Sequence, residues 1–423
     1  MTVHAMFMLV AACILGAAAV DVSHLNALRS EMQVAADAAA RGALLWRIDD
    51  GQGSAQAKLA AVRLVRRTQP RQPYGSVVGM RDIAFGRFDA ATGAFRPERD
   101  SREAAWARAA REEAKGNPVA TLLFRLIGVD AMDVAAEAVA VAWLPPCLDN
   151  GLVAEGPVAL RTTRVRLVDL CLHSNDSVTV ARGARMQGTG TLSVPRPEAL
   201  VGAPPLLAER LRLDRFGLRV MAPLMAKGAG GVAAGMARPG SAFRPAHLDA
   251  AAEARLEPER EGGLAVVGPQ GFRPGALSRY DCAAGERLAL RAGTYAGVAL
   301  LTDCALEIAD GARLEDVRIV STATGAEAVR IAGALALGRP DRCAEGGGAQ
   351  VATRGGVVAE GLVTLEGGQI LAAGDIDLAG GARGHGAAVT AGGSLTASTL
   401  VDLWGCATGQ EGNLRAHYVR LAR

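Results

Sequence analysis

Two hydrophobic patterns follow one another at the start of the chain. Ala5 to Val20 is apolar on every face, and then Leu25, Leu28, Met32, Ala35, Ala36, Ala39, Ala43 and Leu44 recur at intervals of three and four. An all-round apolar run near the roughly 20 residues a bilayer requires, continued by a one-sided pattern, predicts a single helix. Such a helix begins in a membrane and emerges as an amphipathic stem. A cleaved secretory signal is the competing reading, because Ala17-Ala18-Ala19 offers a small-residue cleavage site. Against it, no Lys or Arg precedes the run, and beyond the supposed cleavage point the helical pattern meets no breaker until Gly42. The first basic residue, Arg29, lies after the span, so charge bias leaves the topology open.

Beyond the stem the periods shorten. Residues 51–70 are rich in Ala and Arg and read as a helix stopped by Pro70 and Pro73. Asp82 to Asp89 alternates apolar and polar as a half-buried strand should, Ala91-Thr92-Gly93 reads as a turn, and Ala94-Phe95-Arg96 as the return strand. A polar helix is expected over Ser101–Lys115, another over 119–128, and a strand over 132–143. Cys171 to Met186 brings short β-branched strands between Asn, Asp and Gly turns. Residues 201–281 hold no sustained strand pattern. After a short helix over Leu206–Arg215, their Gly- and Ala-rich texture reads as a linker. From Cys282 onward, strands such as Leu306-Glu-Ile, Val329-Arg-Ile, Val363-Thr-Leu and Ile376-Asp-Leu alternate with glycine turns. Short strands without intervening helices predict a parallel β-solenoid, with a β-sandwich as the alternative because the spacing is irregular.

The predicted class is therefore α+β. Residues 1–48 form a transmembrane helix with its long amphipathic stem, and 49–144 a small α+β periplasmic domain. Residues 145–200 are a Cys-containing β segment, 201–281 a linker, and 282–423 an all-β, solenoid-like region.

Composition sharpens this picture at two points. Forty-six basic against 43 acidic residues give a net charge of +3, so nucleic-acid binding has no electrostatic support. Of seven cysteines, Cys13 lies inside the apolar run and reads as a small hydrophobe. The other six, Cys147, Cys171, Cys282, Cys304, Cys343 and Cys406, form no CxxC pair and have no histidine at metal-ligand spacing. Disulfides in an oxidising compartment are the expected use. Six cysteines permit 15 pairings and the sequence leaves them open; neighbour pairing would join Cys147 with Cys171, Cys282 with Cys304, and Cys343 with Cys406.

Val20-Asp21-Val22 at the end of the apolar run, followed by Leu28-Arg-Ser-Glu-Met-Gln-Val-Ala-Ala-Asp37-Ala-Ala-Ala40, resembles the N-terminal signature of the TadG-like proteins of the tight-adherence (Tad, or Flp) pilus assembly system. Asp82–Asp89, Gly116-Asn-Pro-Val119, Leu126-Ile-Gly-Val-Asp130 and Cys171-Leu-His-Ser174 with the later Val194-Pro-Arg-Pro197 resemble the segments that follow it. The resemblance covers residues 5–195. It implies a membrane-anchored, periplasm-facing component of the bacterial inner membrane with an assembly role and no catalysis. Its partners would be other Tad/Flp assembly proteins or pilins, with no small-molecule substrate and no cofactor. Some longer relatives carry a von Willebrand A domain. Asp21-Val-Ser-His-Leu25 lacks the second serine of that domain's metal motif, so no metal is expected.

Asp21 and Asp37 are the candidate partner contacts, the first at the membrane edge and the second among alanines that let another helix approach. His173, Ser174, Asn175 and Asp176 are too close in sequence to form a catalytic triad and read as a polar turn. His385 and His417 stand alone, and Gly346-Gly-Gly348 is not followed by the residues of a phosphate loop. Asp375, Asp377 and Asp402 leave one alternative: an exported β-helix enzyme or carbohydrate-binding module acting on polysaccharide, with paired carboxylates on a solenoid face. No catalytic residue is assigned.

Overall fold

The computed structural model describes residues 2–49, 53–214, 217–227, 231–249, 252–416 and 418–422, without the side chains of residues 2–4, 7, 9–14, 17, 73 and 146. The chain divides into two units. The first comprises residues 1–143 with 417–423, and the second residues 144–416.

The first unit is built on helix α1 (Thr2–Asp49), with α2 (Ser54–Thr68) packed beside it. Its sheet consists of β1 (Ile83–Asp89), β2 (Ala94–Pro97), β3 (Ala104–Arg111), β6 (Val134–Trp143) and the last strand, Tyr418–Leu421. All neighbours are antiparallel, in the order β2-β1-β3-β6-last strand. The stem residues Leu28, Met32, Ala35, Ala36, Ala39, Ala43 and Leu44 are buried, so the three-and-four spacing marks the packed face. Opposite them the core contains Ala105, Ala107, Ala109, Ala136, Ala138 and Ala140. Alanine on alanine lets the helix axis settle close to the sheet, which explains why this segment is poor in large apolar residues.

The helix expected over Ser101–Lys115 is instead β3. Its composition, Ala-Ala-Trp-Ala-Arg-Ala-Ala-Arg, favours helix locally. Eight register pairs to β6, from Ala104↔Val141 to Arg111↔Val134, override that preference. Residues 119–128 likewise form no α-helix. Val119–Ala120 (β4) pairs with Ala131–Met132 (β5) as a small hairpin, and its tip is a 3-10 turn over Phe124–Ile127.

The second unit is a three-faced β-solenoid, parallel except where Glu259–Glu261 pairs antiparallel with Leu264–Val267. Among the described residues its first and second faces each have 11 strands and its third has eight. Register pairs such as Ala349↔Gly368 and Gln369↔Ala388 set 19 residues per coil, while Val317↔Ala349 makes one coil of 32. The long coil carries the loop 338–348, which accounts for the irregular spacing along the sequence. Inward positions stack like on like: Leu306, Val329, Val357, Ile376 and Leu395 form one continuous column. Glycines turn the corners because successive coils nearly touch there. A Cβ on Gly380 would lie 2.1 Å from the carbonyl carbon of Gly361.

The expected separation of a 145–200 β segment from the 282–423 region gives way to a single stack. Strand Gly151–Ala154 pairs with Ala388–Ala391, Val158–Leu160 with Leu395–Ala397, and Val165–Val168 with Val401–Trp404. Coils from the earlier sequence thus continue the column beyond the later ones. The intervening segment must return along the stack, a distance of roughly 50 Å at 4.8 Å per strand. It therefore behaves as a strap and not as the expected linker. Leu218, Val220, Met221, Leu224, Val232, Met236 and Leu248 are all buried. The strap and residues 405–416 explain why first-face strands Val317–Ser321, Ala349–Thr353 and Gly368–Ala372 are buried at every position. Strands of the second face, such as Val357–Ala359, are buried only at alternate ones.

Candidate interaction surfaces

Along α1, burial changes character at Asp21. Among the described side chains before it, Met6, Met8, Leu15 and Val20 are exposed, and the buried stripe begins at Leu28. Much of the apolar run Ala5–Val20, including Cys13, has side chains outside the described residues. Among the described residues, no helix is long and apolar enough to cross a membrane.

Asp21 itself is fully buried. Its Oδ1 accepts the N–H of Leu122 at 2.6 Å, and its Oδ2 accepts those of Leu123 and Phe124 at 2.8 and 2.6 Å. Burial pushes the carboxyl up, but the three backbone donors outweigh it and hold its pKa below the ordinary carboxylate value. Expected as a contact for another protein, Asp21 is instead occupied within its own chain, where it caps the turn of the β4–β5 hairpin. Sequence alone gave no sign of this partnership, because the donors are backbone groups.

Asp37 is half-buried and accepts a 2.8 Å hydrogen bond from Gln33 Nε2, which also donates to the Glu137 carbonyl on β6 at 3.1 Å. Both residues line a cleft of about 520 Å³ with Phe88, Trp106, Glu137 and Leu421. The cleft lies beside β6, whose Ala140–Trp143 pairs with Tyr418–Leu421. A half-buried acid beside a sheet strand can take a polar or basic partner segment.

Three disulfides, Cys147–Cys171, Cys282–Cys304 and Cys343–Cys406, close with Cα separations of 5.0, 5.3 and 5.8 Å. The last ties the 338–348 loop to the segment that covers the first face. His173 sits buried on that face, with Nδ1 2.6 Å from Ser193 Oγ and Nε2 2.8 Å from Asn175 Oδ1. Asn175 in turn pairs with the strap, accepting the Leu218 N–H and donating to the Leu218 carbonyl, both at 2.6 Å. The expected polar turn is thus an anchor point for the strap.

The acids considered for polysaccharide chemistry are spread over different parts of the solenoid. Asp375 accepts the Ser394 N–H and hydroxyl at 2.6 and 2.8 Å, and Asp377 accepts the Thr396 hydroxyl at 2.8 Å. Asp402 stands on the third face, in register with Arg383 and Arg166. Beside it runs an outward column that the sequence did not announce: Glu366, His385 and Trp404. His385 Nδ1 is 3.2 Å from Glu366, and the Arg166 guanidinium lies 4.4 Å from the Trp404 ring centroid. His417 lies outside the described residues. Among the described residues, no cluster of three or more His, Cys, Asp or Glu could hold a metal ion.

Two family matches overlap these features. Residues 1–57 match the Flp pilus-assembly TadE/G-like family, which covers α1 and its junction with α2. Residues 233–407 match a domain of unknown function (DUF7867), which runs from the strap through the solenoid to Ala407. Neither a curated protein nor a solved structure matches the chain.

Proposed function

We propose that this chain, TadE/G-like over its first 57 residues, is a membrane-anchored, periplasm-facing component of Tad/Flp pilus assembly with a structural role and no catalysis. The family match carries the reading and supports a place in pilus assembly. The course of α1 supports the finer part. Its apolar lead leaves Met8, Leu15 and Val20 uncovered by the rest of the chain, as a segment destined for a bilayer would be. Its second half is committed to packing on the sheet. Three disulfides suit an oxidising periplasm. In this reading both units lie on the periplasmic side, and the solenoid serves as a stiff element. Asp37 and its cleft are the proposed contact for another assembly subunit or a pilin. The alternative, an exported polysaccharide-active β-helix, would rest on acids such as Asp375 and Asp377, which are engaged by Ser394 and Thr396 in the next coil.

Isolation of the full chain from detergent-solubilised membranes tests the reading. Pilus-assembly proteins should co-purify with it, and Asp37→Arg should reduce their recovery while leaving the chain folded. Recovery of the chain free of any such protein would remove the proposal.

A further inference from the structure

The β4–β5 hairpin presents a second apolar surface at the level where α1 changes character. Its tip exposes Leu126 (78%) and Ile127 (76%), which with Leu206 (76%) are the most exposed large apolar side chains among the described residues; Leu122, Val129 and Met132 are also exposed around them. Asp21 fixes this tip against the helix through the N–H groups of Leu122, Leu123 and Phe124. The hairpin base is closed by β4–β5 pairing and by the Thr121 N–H donating to the Asp130 carbonyl at 3.0 Å. On the helix, the neighbouring Val20 and Val22 are exposed as well. Asp21 thus joins two sets of exposed apolar side chains, Val20 and Val22 on the helix and Leu126 and Ile127 at the hairpin tip.

We infer that the hairpin tip is an interfacial wedge that inserts Leu126 and Ile127 into the headgroup and upper acyl region of the lipid bilayer beside α1. The inference rests on the anchor reading and adds a second lipid contact to it. The chemistry of the tip suits that depth. Arg125, exposed between the apolar residues, has an aliphatic stem that can lie along lipid while its guanidinium reaches phosphate oxygens. Of the nearby acids, Asp133 lies at the hairpin base, where it accepts the Glu113 N–H at 2.9 Å. A single helix can rotate and tilt in a bilayer. A rigid wedge beside it would fix both, and so set the direction in which the stem leaves the surface.

The test uses the full chain reconstituted into phosphatidylcholine vesicles brominated at shallow acyl positions. Tryptophan is introduced at the tip (Leu126→Trp, and separately Ile127→Trp) or in the β1–β2 turn (Thr92→Trp). Thr92 lies near the level of Asp37, about 24 Å further along α1 at 1.5 Å per residue. Retention of the wild-type chain at alkaline pH is scored in parallel. The wedge predicts that emission from the tip tryptophans is quenched by bromine and shifted to the blue, while Trp at 92 behaves as wild type. A retained chain whose tip tryptophans are no more quenched than Trp at 92 overturns the wedge and leaves the anchor standing. Quenching of the tip in a chain that alkali releases removes the anchor and keeps the wedge. Shielding that appears only when other pilus proteins are added overturns the lipid assignment in favour of a protein partner.

Discussion

The guanidinium of Arg166 lies 4.4 Å from the ring centroid of Trp404, although 238 positions separate the two in sequence. Their contact marks the seam at which coils from residues 151–213 join those ending at residue 404. Beneath it, Val401 pairs with Val165 and Leu403 with Leu167, so the core crosses the seam without a break. The two parts are expected to unfold together. Leu167→Ala, at a position 1% exposed, should cost about 2–5 kcal/mol. Trp404→Ala should cost about 1–3 kcal/mol. Both should shift one cooperative transition in denaturant melts monitored at several probes. Two separate transitions would show that the seam is not an integral part of the core.

His173 makes stability depend on pH. Burial lowers its pKa below the ordinary 6.5, against opposing contributions from the Asn175 hydrogen bond and the Asp214 charge, so the folded chain prefers the neutral ring. The unfolded chain takes up the proton first as pH falls. The contribution of His173 is thus fully present above pH 6.5 and is lost as pH drops through the lower folded value. Unfolding midpoints measured between pH 8 and pH 5 should fall on the acid side, and His173→Gln should flatten that part of the profile. An unchanged profile in the variant would contradict the assignment.

Arg318 holds the strap. It is 4% exposed and donates to the Phe243 carbonyl at 2.7 Å, to Gln350 Oε1 at 3.1 Å, and to the Gly412 carbonyl. Burial pushes its pKa down to about 10, which leaves it charged at neutral pH. Arg318→Met would strip these acceptors of a charged donor and should destabilise the solenoid by about 2–4 kcal/mol. Proteolysis within 217–249 should also accelerate, and a protease-resistant strap in the variant would argue that other contacts suffice.

Corner glycines tolerate no side chain where coils touch. Gly380→Ala would place its Cβ 2.1 Å from Gly361, and overpacking of this kind should cost about 1–3 kcal/mol or more. Gly325, whose Cβ would meet nothing within 4 Å and whose backbone is not left-handed, is the comparison for spatial crowding. A Gly380→Ala variant that melts with the wild type would show that neighbouring coils shift without cost.

Reduction should weaken the second unit. The loop-closure account assigns about 3–4 kcal/mol to each disulfide, with roughly 1 kcal/mol more for Cys343–Cys406, which spans 63 positions, than for Cys282–Cys304, which spans 22. Melting with and without reductant, on the wild type and on a Cys343→Ser, Cys406→Ser pair, measures both effects.

Much of this architecture was legible in the residues, but unevenly. Leu28, Met32, Ala35 and Ala39 announced the packed face of α1 because a helix against a sheet imposes its own period. Leu306, Val329, Val357 and Ile376 announced inward columns because each strand alternates on its own. Pairing across long separations leaves no local mark, so the joining of Val165 to Val401 was invisible, and with it the role of 217–249 as a strap. β3 misled because Ala and Arg favour helix until β1 and β6 supply the pairing. Asp21 stood out as a residue, but its partners are the N–H groups of Leu122, Leu123 and Phe124, which carry no side-chain signature.

The central proposal is that this chain takes part in pilus assembly. Counting surface pili by electron microscopy in a strain lacking the gene, and again after complementation with the full chain, measures that claim most directly. The account predicts that pili are lost on deletion and return with the wild-type chain. Normal pili on the deletion strain would contradict it.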